Sequence, residues 1–183
     1  MQNIPQIDAI SAPAKTQDLL NAVKKQMGGV PNILATMAQS SAALGGYLGF
    51  AGALAAGSLS NVHREQISLA VAGANACDYC ASVHTALGKG AGLSSDEMAK
   101  NLLGKSSDPK TAALLTFARE FVRLRGRTSA AQLAALSAAG FGHEAVVEIV
   151  ANIALNMFTN YFNHIAGTEI DFPLVNSQIA LAA

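Results

Sequence analysis

Three observations predict an all-α fold for this sequence. Alanine and leucine dominate its apolar positions, and both are strong helix formers. Alternating β-branched runs, the mark of half-buried strands, are missing. Helix caps and breakers recur at spacings that suit helices of ordinary length. No linker or low-complexity segment interrupts the pattern, and 183 residues suit one core. The expected organisation is therefore a single compact helical domain over residues 1–183.

A first helix is expected over about residues 14–26, ended by Gly28, Gly29 and Pro31. One or two helices follow between Pro31 and Gly57. Ser60 or Asn61 can cap the next, "VHREQISLAVAGANA". A helix carrying Cys80 and His84 ends in Gly88, Gly90 and Gly92. Ser94 and Glu97 have capping-box spacing before "SDEMAKNLL". Asp108 followed by Pro109 is a cap and a first-turn proline, opening "PKTAALLTFAREFVRLRG". Ser129 and Gln132 form a second box. The last long helix runs from about His143 to Ile165, and Gly167 and Pro173 end it.

Composition narrows the function. Twelve basic and 12 acidic residues give zero net charge, with no electrostatic footprint for nucleic acid or an anionic membrane. Charged residues are only 13% and hydrophobic residues 51%, with a mean hydropathy of +0.30. A monomer has too few polar groups here to cover itself, so a homo-oligomer is expected. Residues 27–62 lack any charged residue or histidine. Their Gly, Ala and Ser content, the GxxxG pair Gly45 and Gly49, and the lack of basic flanks favour a buried or interface helix over a membrane span. The N-terminal "MQNIPQIDAISAPAK" has no basic start and no apolar run, so a cytoplasmic protein is expected.

The chemistry concentrates in "ANACDYCASVHTALGKG", residues 74–90, which holds both cysteines of the chain. Cys77, Cys80 and His84 stand at i, i+3 and i+7, near one face of a helix. If that helix begins at Cys77, its unsatisfied backbone N–H groups favour the thiolate, the reactive form. In a reducing compartment a Cys-x-x-Cys pair is more often redox-active or metal-binding than structural. Glu65 lies twelve residues before Cys77. One straight helix would separate them by roughly 18 Å. A turn near Gly73 to Ala76, where Gly73 and Asn75 are plausible breakers, would fold the two helices antiparallel and return Glu65 beside Cys80 or His84. A zinc site would use Cys77, Cys80 and His84 with Glu65 or His63. The missing second CxxC argues against it, so no metal and no bound cofactor is expected beyond a redox-active Cys77–Cys80 disulfide.

Glu65, Cys77, Cys80 and His84 together spell E-x11-C-x2-C-x3-H, within "REQISLAVAGANACDYCASVHTALGKGAGLSSDE". This stretch resembles the alkylhydroperoxidase D family of the carboxymuconolactone decarboxylase-like superfamily. The resemblance implies an antiparallel helix pair, assembly as a homo-trimer or homo-hexamer, and thiol-dependent reduction of hydroperoxides. It implies that Glu65 and His84 relay protons to the cysteines, and that Cys80 is the attacking thiol. Cys77 would then be the resolving and more exposed one, although the helix-terminus argument alone favours Cys77 as the more acidic thiol. A thiol or disulfide electron donor would reset the pair. The best-known members have histidine where this chain has Tyr79, and a phenol titrating near 10 cannot relay protons at neutral pH. A hydrogen-bond donor is the secondary role left to it. The alternatives are a cofactor-free decarboxylase or lactone enzyme, as in the superfamily's name-giving member, and a non-enzymatic metal-binding or interaction module.

The last long helix carries a second polar pattern. Glu148, Asn152, Asn156 and Asn160 recur every four residues along an apolar helix. Hydrogen bonding between helices or subunits is the expected use, with lining of the thiol pocket as the alternative.

Overall fold

The computed structural model describes residues 2–177. Among them are nine α-helices and no strand: α1 (Ala14–Met27), α2 (Asn32–Met37), α3 (Ser41–Ala55), α4 (Asn61–Ala74), α5 (Asp78–Gly90), α6 (Ser95–Leu102), α7 (Pro109–Arg123), α8 (Ala130–Ala138) and α9 (His143–Ala166). The caps read from the sequence start these helices. Ser60, Ser94, Asp108 and Ser129 each accept a hydrogen bond from the third backbone N–H after them. The Ser129–Gln132 box is reciprocal. At Ser94 the reciprocal half is missing, because the Glu97 carboxylate instead accepts from Ser106 and from the Ser107 N–H.

Helix α4 is central and packs against α5, α6, α7 and α9. Its residues Gln66 to Gly73 are all buried, which explains a helix that reads as apolar almost all round. Two apolar clusters flank it. One joins α4, α7, α8 and α9 through Ile67, Val71, Leu114, Leu115, Leu136, Ile149 and Ile153. The other joins α1, α2, α3 and α5 through Leu20, Val23, Met37, Leu44 and Tyr79, and contains both cysteines.

The turn between α4 and α5 decides the site. Cys77 N–H donates to the Ala72 carbonyl and Ala76 N–H to the Gly73 carbonyl, the bond pair that closes a helix on a left-handed residue. That residue is Ala76, with φ of 53°. Gly73, read from the sequence as a breaker, lies inside α4 and is buried. Cys77 therefore ends the closing motif of α4 and also caps α5.

Apolar length alone makes α9 long enough to cross a membrane. Its Asn152, Asn156, Asn160 and Asn163 are buried inside the fold. The uncharged segment flagged in the sequence becomes α2 and α3, and α3 has 15 residues, short of a span.

Candidate active site

The sharp turn at Ala76 lays α5 antiparallel to α4, and Glu65 meets His84 across the pair. His84 Nδ1 lies 2.8 Å from Glu65 Oε2. Both side chains are mostly shielded, at 19% and 13% exposure. The carboxylate fixes the ring through Nδ1, which leaves Nε2 as the nitrogen free for chemistry. Glu65, Cys80 and His84 all line one cavity of about 630 Å³, whereas Cys77 does not.

The two free cysteines approach to 2.8 Å, close enough to form a redox disulfide. Cys77 Sγ accepts the Cys80 backbone N–H at 3.4 Å, so the thiol does the work of an N-cap. From α9, Asn163 Nδ2 donates to Cys80 Sγ at 3.2 Å and reaches Cys77 Sγ at 3.9 Å. A hydrogen bond from the Cys80 side chain, helped by its N–H and by Asn163, holds the Cys77 thiol below its ordinary range despite burial. Burial pushes the Cys80 thiol up, and its contact with Cys77 adds to this, while Asn163 and Asn160 oppose it. The pair thus shares its protons unequally, with negative charge favoured on Cys77. Cys77 is 2% exposed and Cys80 1%, so both thiols are buried and exposure does not separate them.

Tyr79 turns away from the sulfurs. Its hydroxyl donates to Asp171 Oδ1 at 2.8 Å and accepts the Ile33 N–H at 3.2 Å. Asp171 Oδ2 also accepts the Asn32 N–H. Tyr79 thereby ties α5 to α2 and to the C-terminal segment. That segment is fastened twice more: Ser82 Oγ accepts the Val175 N–H, and Asp78 Oδ1 accepts from the Ser177 N–H and hydroxyl. This segment holds the N-terminal end of α5 in place. His63 packs edge-on against Phe141, with ring centroids 5.7 Å apart.

The cavity lies under α3. Gly45, Gly49 and Gly52 line it, and a Cβ added at Gly49 or Gly52 would meet nothing within 4 Å. The small-residue spacing that resembled a helix-packing motif in the sequence is here the roof of a hollow. Tyr47, on the same helix, was not singled out by sequence reasoning. Burial, with Cys80 and Glu65 nearby, pushes its phenol up to about 12, so it stays a protonated donor. Asn163 was also missed. The four-residue polar register ends at Asn160, and Asn163 extends it by three, a spacing that shares the same helix face.

The polar stripe of α9 divides into parts. Glu148 accepts the backbone N–H groups of Ser58 and Leu59. Asn152 and Asn156 bond back to their own helix and line the cavity. Asn160 accepts from Asn75 at the α4–α5 turn. Both uses considered from the sequence therefore occur, at different residues.

Residues 41–124 match the carboxymuconolactone decarboxylase family. Most of the chain superposes on the alkylhydroperoxidase AhpD core of a peroxidase-related protein from Ralstonia eutropha JMP134. The identity is 26% over 93% of this chain and 92% of that one, with a TM-score of 0.82. The sequence match and this superposition together support an alkylhydroperoxidase D-like assignment within the carboxymuconolactone decarboxylase superfamily. A peroxidase-related protein from Silicibacter sp. TM1040 has the same fold at 22% identity, over 91% and 89% of the two chains, with a TM-score of 0.80. So does a cysteine-to-alanine variant of the debrominase Bmp8 in complex with 2,3,4-tribromopyrrole, at 17% identity, 100% and 97% coverage and a TM-score of 0.79. No curated protein matches the sequence. The family match runs from α3 to the end of α7. It thus contains Glu65, Cys77, Cys80 and His84 but not Asn160 or Asn163.

Proposed function

We propose that this chain is a CxxC thiol peroxidase of the alkylhydroperoxidase D type, reducing organic hydroperoxides. The observation that carries the reading is the convergence of Cys80, His84 and Glu65 on one cavity, with Cys77 directly behind Cys80. Cys80 loses its proton to His84, whose positive charge Glu65 supports. The Cys80 thiolate attacks the terminal peroxide oxygen and breaks the O–O bond. It becomes a sulfenic acid and releases an alcohol, the departing alkoxide taking a proton from His84. Cys77 then attacks the sulfenic sulfur, forming the disulfide and releasing water. Two electrons and two protons from a dithiol, or from two thiols, restore both cysteines and leave the donor as a disulfide. The lowered affinity of Cys77 for its proton suits it as the leaving group in that last step.

A second reading shares the same sulfurs. The cavity is mostly apolar and holds far more than a peroxide group. A Cys80 thiolate can abstract halogen from a halogenated ring, the carbon taking a proton. Cys77 then displaces halide from sulfur to leave the same disulfide. A decarboxylase would need neither thiol. We further propose that the protein works in a reducing cytoplasm as a homo-trimer or homo-hexamer. Exposed Phe50, Val147, Phe158, Tyr161 and Ile165 support the assembly, and sedimentation as a monomer at micromolar concentration would refute it.

The deciding experiment counts free thiols before and after one equivalent of cumene hydroperoxide, and maps the disulfide by mass spectrometry. The expected result is loss of both thiols, a Cys77–Cys80 disulfide and one equivalent of alcohol. In Cys77→Ser a sulfenic acid should be trapped on Cys80, and Cys80→Ser should be inert. Trapping on Cys77 in Cys80→Ser, with Cys77→Ser silent, reverses the roles. Thiols untouched by peroxide but consumed by a bromopyrrole select the second reading. Decarboxylation of a lactone acid, unaffected by blocking both thiols, selects the decarboxylase.

A further inference from the structure

The cavity has a polar end whose groups the thiol chemistry does not use. Arg64 is the one permanently charged cation among the residues lining it. Its guanidinium donates to the Leu59 carbonyl at 2.7 Å and to Asn61 Oδ1 at 3.2 Å, both neutral acceptors. The cavity's own carboxylate, Glu65, is bonded to His84. The nearby Glu148 carboxylate feels the Arg64 charge but is not paired with it, being held by the Ser58 and Leu59 N–H groups. Among the described residues Arg64 is in no ion pair, although its planar fork suits a carboxylate.

The register of the helix pair places this cation relative to the thiol. Glu65 faces His84, and Cys80 lies one turn before His84, so Cys80 is level with about Leu69. From Arg64 that is roughly 7 Å along α4. Leu48, Leu155 and the glycine face of α3 line the same cavity. An acyl chain of moderate length fits this distance and this lining.

We infer that the cavity binds an apolar carboxylate, with its anionic head on Arg64 and its chain under Gly45, Gly49 and Gly52. The far end of that chain lies toward Cys80. Only the identity of the reacting end rests on the proposed peroxidase function; the binding itself does not.

Calorimetric titration of the Cys80→Ser protein with octanoate and with octan-1-ol tests this without any turnover. Octanoate should bind about 10-fold more tightly than octanol, and added salt should weaken octanoate alone. Arg64→Gln should remove the difference and leave octanol unchanged. Gly52→Leu, which fills the roof, should weaken both. Equal affinities for the two ligands, or octanoate binding indifferent to both salt and Arg64→Gln, would overturn the inference. If Arg64→Gln does not fold, the salt dependence and Arg64→Lys decide. The lysine variant should keep the salt effect and lose part of the affinity, and salt-independent octanoate binding again overturns the proposal. Intact octanoate binding in a protein that never consumes peroxide would count against the peroxidase reading alone.

Discussion

The two apolar clusters on either side of α4 are built alike but end differently. The cluster with α7, α8 and α9 is closed by large side chains, and Leu114, Leu115, Leu136, Ile149 and Ile153 are all fully buried. The cluster with α1, α2, α3 and α5 contains a cavity of about 630 Å³ under α3. The difference lies in the facing helices. Helix α7 presents leucine and phenylalanine to α4, whereas α3 presents glycine and alanine to the cavity beside Cys80. Filled interiors supply stability. The hollow half forgoes part of it and gains access to Cys80. One half of the molecule is thus a frame, and the other is a vessel for the thiols.

Leu115→Ala should produce the largest stability effect. It would open a void in the closed half, where the neighbours are already packed, and should cost about 3 kcal/mol of unfolding free energy. Leu48→Ala, on the half-buried wall of the existing cavity, should cost nearer 1 kcal/mol, because it only enlarges a space already present. Urea denaturation of both variants measures the contrast. Equal costs would mean that the hollow half is collapsed in solution.

Chemistry should show the reverse order. Glu65→Gln and His84→Ala should each slow single-turnover oxidation by cumene hydroperoxide by about 10-fold or more at neutral pH, with little change in stability. The double variant should lose little beyond the worse single, since the two act as one relay. Independent, multiplying losses would show that Glu65 acts elsewhere than through His84.

Asn163→Leu should have a smaller effect, directed at the sulfurs. Its amide N–H stabilises negative charge on both cysteines, so its removal should raise the apparent pKa of the pair. Alkylation by iodoacetamide should slow several-fold at neutral pH and recover as pH rises. A loss of rate that is uniform across pH would instead indicate damage to access or packing.

Much of this contrast is legible in the residues, though not evenly. Helix starts are local events, so Ser60, Ser94, Asp108 and Ser129 announce themselves through their own side chains. The Glu65–His84 contact was legible because a helix pair turning near Asn75 has one antiparallel register that joins them. The residue that makes the turn was not legible. Ala76 adopts a left-handed conformation for which glycine is usual, and nothing in its chemistry marks it. The hollow was not legible either. Glycines spaced along a helix look alike whether another helix or a cavity faces them, and only the placement of α1 and α9 distinguishes the two. Asn163 and Asp171 reach the CxxC end of α5 from far along the chain, and a local pattern carries no sign of such contacts.

The smallest expected effect concerns the link between the two halves. Glu148 on α9 accepts the Ser58 and Leu59 N–H groups, joining the closed half to the connection that leaves α3. Gly57 permits this approach, because a Cβ there would lie 2.7 Å from the carboxylate atoms. Those two N–H donors hold the Glu148 carboxyl below its usual range. A depressed acid stabilises the folded state fully above its unfolded pKa, near 4.3, and the contribution fades as pH falls through the lower folded value. Glu148→Gln should therefore cost about 1 kcal/mol at neutral pH, allowing for the partial exposure of the group. A carboxamide offers one acceptor and turns an N–H toward the second donor, so the charge cannot be replaced by shape. The difference between the two proteins should stay constant above about pH 5 and shrink below about pH 4. Urea titrations at several pH values measure it. A difference that grows on acidification would show that the link depends on packing around Gly57 and not on the carboxylate.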